Sequence, residues 1–263
     1  MITGVVLAML ASVSMADIIG DIISINFCDW NGAAAAPRNP MLSSSLAGAP
    51  GVRVDDWNNI QASTGTNRTG STLVYADGTT VGGAFNIAYT SPRAAAQTAN
   101  ALLNDALMYS GYDQVWNNQT NKVVLTDISF SKYDIYIYCD SARANTGGRV
   151  SMVGQQDYYL HTVLATPSIF GTNNTGAGYT QITGTDYATV KAAAGTKGNY
   201  VKYSNLSGTS QTFTLAALDM GDTTTQRFQL DGFQIVEIIP EPATIGMLGL
   251  GALILLVRRR FKV

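Results

Sequence analysis

From Tyr133 to Cys139 the chain alternates, with Tyr133, Ile135, Ile137 and Cys139 at one parity and Asp134, Tyr136 and Tyr138 at the other. Successive side chains of an extended strand point to opposite faces, so this period of two predicts a half-buried strand. Comparable runs are Ile22 to Phe27, Thr72 to Tyr75, Ala84 to Tyr89, Lys122 to Leu125, Arg149 to Val153, Tyr200 to Tyr203, Thr212 to Leu215 and Phe228 to Ile238. Turn residues separate them, as in Asp77-Gly78, Thr146-Gly147-Gly148, Asn173-Asn174-Thr175-Gly176 and Ser207-Gly208. Short strands punctuated in this way predict a mainly β chain, an antiparallel β-sandwich of jelly-roll type. The first and last strands are expected to pair near the termini.

One or two short helices interrupt the pattern. Ser91 suits an N-cap and Pro92 a first helical position, and the Ala- and Leu-rich stretch from Arg93 to Tyr109 predicts a helix ended by Gly111. A second is predicted from Tyr187 to Ala194, capped by Asp186 and stopped by Gly195.

Charged residues are only 13% of the chain, which suits a secreted β protein. Setting aside the tail's Arg258, Arg259, Arg260 and Lys262 leaves 12 Lys and Arg against 18 Asp and Glu. Nucleic acid is therefore not an expected partner, since binding it normally requires a basic face. No linker divides residues 17–239, so one sandwich domain is expected there.

Candidate chemistry is sparse. Cys28 and Cys139 are the only cysteines, and they read either as a disulfide or as two buried free thiols. The one histidine, His161, lies in the strand-like run Tyr158-Tyr159-Leu160-His161-Thr162 and reads as packing. No nucleophile elbow or paired metal-ligand motif occurs, so no catalytic residue, metal site or cofactor is expected. Asp55-Asp56, Asp219, Asp222 and Asp231 offer carboxylates for glycosidic chemistry or for a structural calcium ion, and read first as solvated turns. With 13 tyrosines and 3 tryptophans, a stacking platform for sugar rings is the livelier reading. Trp57, flanked by Asp55 and Asp56, is its best candidate and Trp116 beside Asn117 and Asn118 is second, while the stronger alternative has each Trp plugging an end of the sandwich with the Asn residues making the turns.

Both ends of the chain read as addresses. Met1 to Leu10 is apolar apart from Thr3, and Ser14-Met15-Ala16 fits a cleavage site, predicting a signal peptide over 1–16. No Lys or Arg precedes Arg38, so this peptide lacks its usual positively charged start. At the other end Pro240-Glu241-Pro242 precedes an uncharged run over 243–257 and then Arg258-Arg259-Arg260. The run predicts a membrane helix about 22 Å long, short of the ~30 Å hydrocarbon core, with its basic end cytoplasmic.

In that order these elements resemble a PEP-CTERM sorting signal, which would occupy residues 240–263. The resemblance implies export, at least transient anchoring in the membrane, and processing by an exosortase, a membrane-embedded transpeptidase-like enzyme of bacteria that make exopolysaccharide. The middle of the chain is also similar to exported PEP-CTERM proteins of planctomycete and verrucomicrobial type. The residues that carry this are Ile25-Asn26-Phe27, Trp57-Asn58-Asn59, Leu107 to Tyr112, Tyr133 to Tyr138, Tyr200-Val201, Leu206-Ser207-Gly208 and Asp231 to Val236. That similarity implies a galactose-binding-like jelly roll. Two functions fit it: a non-catalytic envelope or matrix protein, and a module that binds exopolysaccharide or other glycans. A glycan-active hydrolase is a third.

Overall fold

The computed structural model describes residues 18–28, 40–61, 68–90, 94–96, 105–109, 111–117, 119–141, 145–162, 178–193, 198–221 and 226–240. Two β-sheets face each other. The larger contains β1 (Ile18–Cys28), β2 (Asn58–Gln61), β5 (Ala94–Ala96), β6 (Gly111–Trp116), β8 (Tyr133–Asp140), β11 (Tyr200–Leu206) and β13 (Arg227–Ile239). The smaller contains β3 (Arg68–Thr69), β4 (Asn86–Thr90), β7 (Thr120–Thr126), β9 (Thr146–Met152), β10 (Tyr158–Thr162) and β12 (Gln211–Ala217).

The 13-residue strand β13 is the spine of the larger sheet. It pairs with β8 along one side, and along the other with β1 and then β6. The expected pairing of first and last strands is present, with Ile25 opposite Phe233 and Ile18 opposite Ile239. Phe228, Leu230, Phe233 and Ile235 of β13 enter the core between the sheets, where Val123, Leu125, Val150, Phe213 and Leu215 meet them from the smaller sheet. Phe233 packs edge-on against Phe213 at 5.4 Å between ring centres and lies 6.2 Å from Phe27.

Several expectations need correction. β8 is buried along its whole length, not on one face. Tyr136 and Tyr138 belong to a second apolar layer with Met41, Ala47, Ala49, Val52, Trp57, Met108 and Tyr109, laid over the outer face of the larger sheet. The sheet is not purely antiparallel, because β2 runs parallel to β1 with Ile25 opposite Asn58. The helix expected from Arg93 to Tyr109 is reduced, among described residues, to α1 (Asp105–Met108), and Ala94–Ala96 instead forms the edge strand β5 on β6. Alanine's helix preference is a fraction of a kcal/mol per residue, on the order of what one strand pairing overrides. Thr72 to Tyr75 is no strand: a 3-10 turn covers Gly70–Thr72, and Val74 makes an isolated bridge to Thr80. α2 (Tyr187–Ala192) forms as expected, with the Asp186 side chain accepting from the Thr189 N–H at 2.8 Å.

The turn read at Gly147-Gly148 is the start of β9. A Cβ on Gly148 would meet the Ala216 carbonyl and lie 2.6 Å from Phe228 Cδ1. Gly148→Ala is therefore expected to cost about 1–3 kcal/mol by overpacking, read as a lowered denaturation midpoint with unchanged slope.

Candidate functional site

The last residues of β13 decide where the chain leaves the sandwich. Ile238 faces Ile19 across the ladder and its N–H donates to the Lys132 carbonyl at 2.9 Å. A carboxylate oxygen of Glu237 accepts from the Asp21 N–H at 3.2 Å. Ile239 is opposite Ile18, so both ends of the sandwich emerge side by side on one edge. Apolar side chains are exposed there, with Ile18 at 47% and Ile239 at 41%. Pro240 follows, exposed, and ends the ladder because it has no N–H to donate.

Residues 239–260 match the PEP-CTERM protein-sorting motif. The match begins on the last residue of β13, so the PEP-CTERM signal is joined to the sandwich with no linker between them. It marks an exported protein anchored in the membrane through its C-terminal region and processed by an exosortase-type enzyme. No curated protein matches this chain. Glu241, Pro242, Arg258, Arg259, Arg260 and the membrane helix expected over 243–257 lie outside the described residues, as does the signal peptide expected over 1–16. Among the described residues no helix is long and apolar enough to cross a membrane.

The residues proposed for sugar stacking are not brought together. Trp57 is only 4% exposed, with its Nε1–H donating to the Val54 carbonyl at 3.1 Å and its ring 5.8 Å from that of Tyr138. Burial removes the open ring face that stacking requires. Asp55 is exposed, while Asp56 stands in the left-handed region at φ 50. Trp116 faces Arg227 across the ladder, and that guanidinium lies over its ring at 4.6 Å. Trp57 sits beside the segment of β1 that pairs with Phe233, which places the two indoles' strand positions roughly 20 Å apart along β13.

Cys28 and Cys139 are both buried thiols that are not joined in a disulfide. They lie on β1 and β8 with β13 hydrogen-bonded between, and two strand spacings make about 9–10 Å, beyond the reach of a disulfide. Burial, with Asp231 and Asp140 nearby, pushes the Cys139 thiol well up and keeps it protonated. His161 is buried in β10 opposite Gly147. Asp219 forms an ion pair with Lys191 at 2.7 Å, and Asp222 lies outside the described residues.

Two polar features of the outer layer are not legible from motifs. Asp105 in α1 accepts from the Gly48 N–H at 3.1 Å, from the Tyr179 hydroxyl at 2.6 Å and from Arg53 at 2.6 Å. It ties the covering segment around Gly48 and Arg53 to the helix. The second is Asp231, a fully buried carboxyl at the bulge between Leu230 and Gly232, which burial, reinforced by Asp140, pushes well above the usual carboxylate range. Its only sequence signal is an acid inside an otherwise apolar strand.

Proposed function

We propose that this chain is an exported, non-catalytic protein of the cell envelope or extracellular matrix, a sandwich of jelly-roll type that an exosortase-type enzyme receives at the membrane surface and passes outward. The observation that carries the reading is the sorting motif starting on the last residue of the central strand, beside the first residues of β1. The folded body is thereby held against the membrane at one edge, where Ile18, Ile19 and Ile239 are already apolar and exposed. Support for a non-catalytic role comes from the burial of His161 and from the ion pair that Asp219 makes with Lys191. Glycan recognition is the second reading, and the burial of Trp57 weighs against that residue as its platform.

In host cells lacking the exosortase-type enzyme, the protein is expected to accumulate in the inner-membrane fraction, and in its presence to appear outside that membrane. Identical fractionation in both strains would remove the enzyme from the account.

A further inference from the structure

We propose that the outer face of the larger sheet holds a divalent cation of calcium type at the β13 bulge, with oxygen ligands from Asp231, Asp140, Gln229 and Asn26. Gln229 stands directly between Asp140 on β8 and Gln114 on β6, so the three side chains form a row across adjacent strands. Their neighbours Leu230, Cys139 and Val115 all enter the inter-sheet core, which puts the row on the opposite face. Asp231 follows at the bulge, and Asn26 pairs with Gly232 just beyond it. Phe27 and Ile25 enter the core, so Asn26 faces the same outer layer.

Every member of the group is buried, with Asp231, Gln229 and Asn26 at 0% exposure. Among the described residues both carboxylate oxygens of Asp231, both amide atoms of Gln229 and the Asn26 Oδ1 have no hydrogen-bond partner. Buried polar groups are almost always paired, and a buried carboxylate without a counter-charge is among the costliest states a fold can hold. The same strand shows the ordinary outcome. Gln234, also fully buried, accepts from the Tyr138 hydroxyl and donates to Ser24 Oγ at 2.9 Å and to the Val52 carbonyl at 3.0 Å. The deficit at Gln229 and Asp231 is therefore local.

Two carboxylates with neutral amide oxygens and no sulfur or imidazole suit a hard cation that takes several oxygen ligands. Among the described residues no three His, Cys, Asp or Glu side chains converge, so the amides must complete the set. The bulge contributes by bending β13, which brings Asp231 out of strict alternation beside Gln229. Such an ion would lock the outer layer to the sheet close to Tyr109, whose hydroxyl donates to the Asn199 carbonyl at 2.8 Å.

The test uses the full-length protein in detergent, stripped with a chelator and then titrated with calcium chloride. Calcium at 100 times its dissociation constant is expected to raise the melting temperature by roughly 5–10 °C. Asp231→Asn is expected to abolish that rise, while its stripped form melts no lower than stripped wild type, because an uncompensated carboxylate has been removed. If Asp231→Asn fails to fold, Asp140→Asn takes its place in the same titration. A wild-type melting temperature indifferent to calcium, as a proton shared by the two carboxyls would give, overturns the proposal. So does a full calcium response retained in the Asp231→Asn variant, which would move the ion elsewhere, for example to the exposed Asp55-Asp56 turn.

Discussion

Replacing Pro240, Glu241 and Pro242 together by alanine is expected to leave the protein at full length and retained in the inner membrane. β13 ends at Ile239 and Pro240 is already exposed, so the motif begins where the ladder stops. Two prolines fix φ, bias the residues before them toward extended backbone and remove two N–H donors. A helix of the kind expected over 243–257 therefore could not continue through the triad, and the strand cannot continue into it. Alanine would lift both restrictions, allowing a helix expected over 243–257 to extend toward the sandwich and denying the enzyme a rigid, carboxylate-bearing recognition element. Because the ladder ends at Ile239 and Pro240 is exposed, folding stability should change by no more than about 0.5 kcal/mol. The readout is intact mass with fractionation. A variant processed and located like wild type would reduce the triad to a passive linker of an ordinary anchor.

Asp105→Ala is expected to destabilise the domain by about 3–5 kcal/mol, measured by denaturant unfolding. The carboxylate is fully buried and serves three donors, so its removal strands the Arg53 guanidinium, the Gly48 N–H and the Tyr179 hydroxyl in the outer layer. It faces Arg53, Tyr179 and the Tyr138 ring. Burial pushes its pKa up from 3.8, against the downward pull of Tyr179, Arg53 and the Gly48 N–H. A raised folded value means that its contribution is fully present below the unfolded 3.8 and is lost as pH rises through the folded value. The stability gap between wild type and Asp105→Ala should therefore be widest near pH 4 and narrow toward neutrality. A gap that widens with pH would show that Arg53 outweighs burial.

The strands were the most legible part of the fold. Alternation marks β8, the apolar content of Phe228 to Ile238 marks β13, and their turn residues bound them closely. The Asp186 cap and α2 were equally plain, because an N-cap acts within four residues. Hidden from the sequence was everything that depends on what covers a strand. Tyr136 and Tyr138 look like a solvent face by period alone, yet Tyr138 accepts from the Ala49 N–H at 2.9 Å under a layer that is mostly irregular chain. An irregular cover carries no periodicity. For the same reason the sequence left Trp57 open between a sugar platform and a packing plug, and its burial in that layer decides for the plug. The Ala-rich stretch after Arg93 shows the opposite failure, a local preference overridden where β6 offered an edge. The sorting signal was legible because it works as a linear element whose parts need no tertiary partner. Asp231 was visible only as one acid among several and Gln229 not at all, since bulge and register together place them side by side.

The most direct test of the sorting account is the intact mass of the protein recovered from its own host. A C-terminus near Pro242 on material found outside the inner membrane is the predicted result. A mass that includes Arg258, Arg259 and Arg260 on protein confined to the inner membrane would contradict it, and would make the tail a permanent anchor.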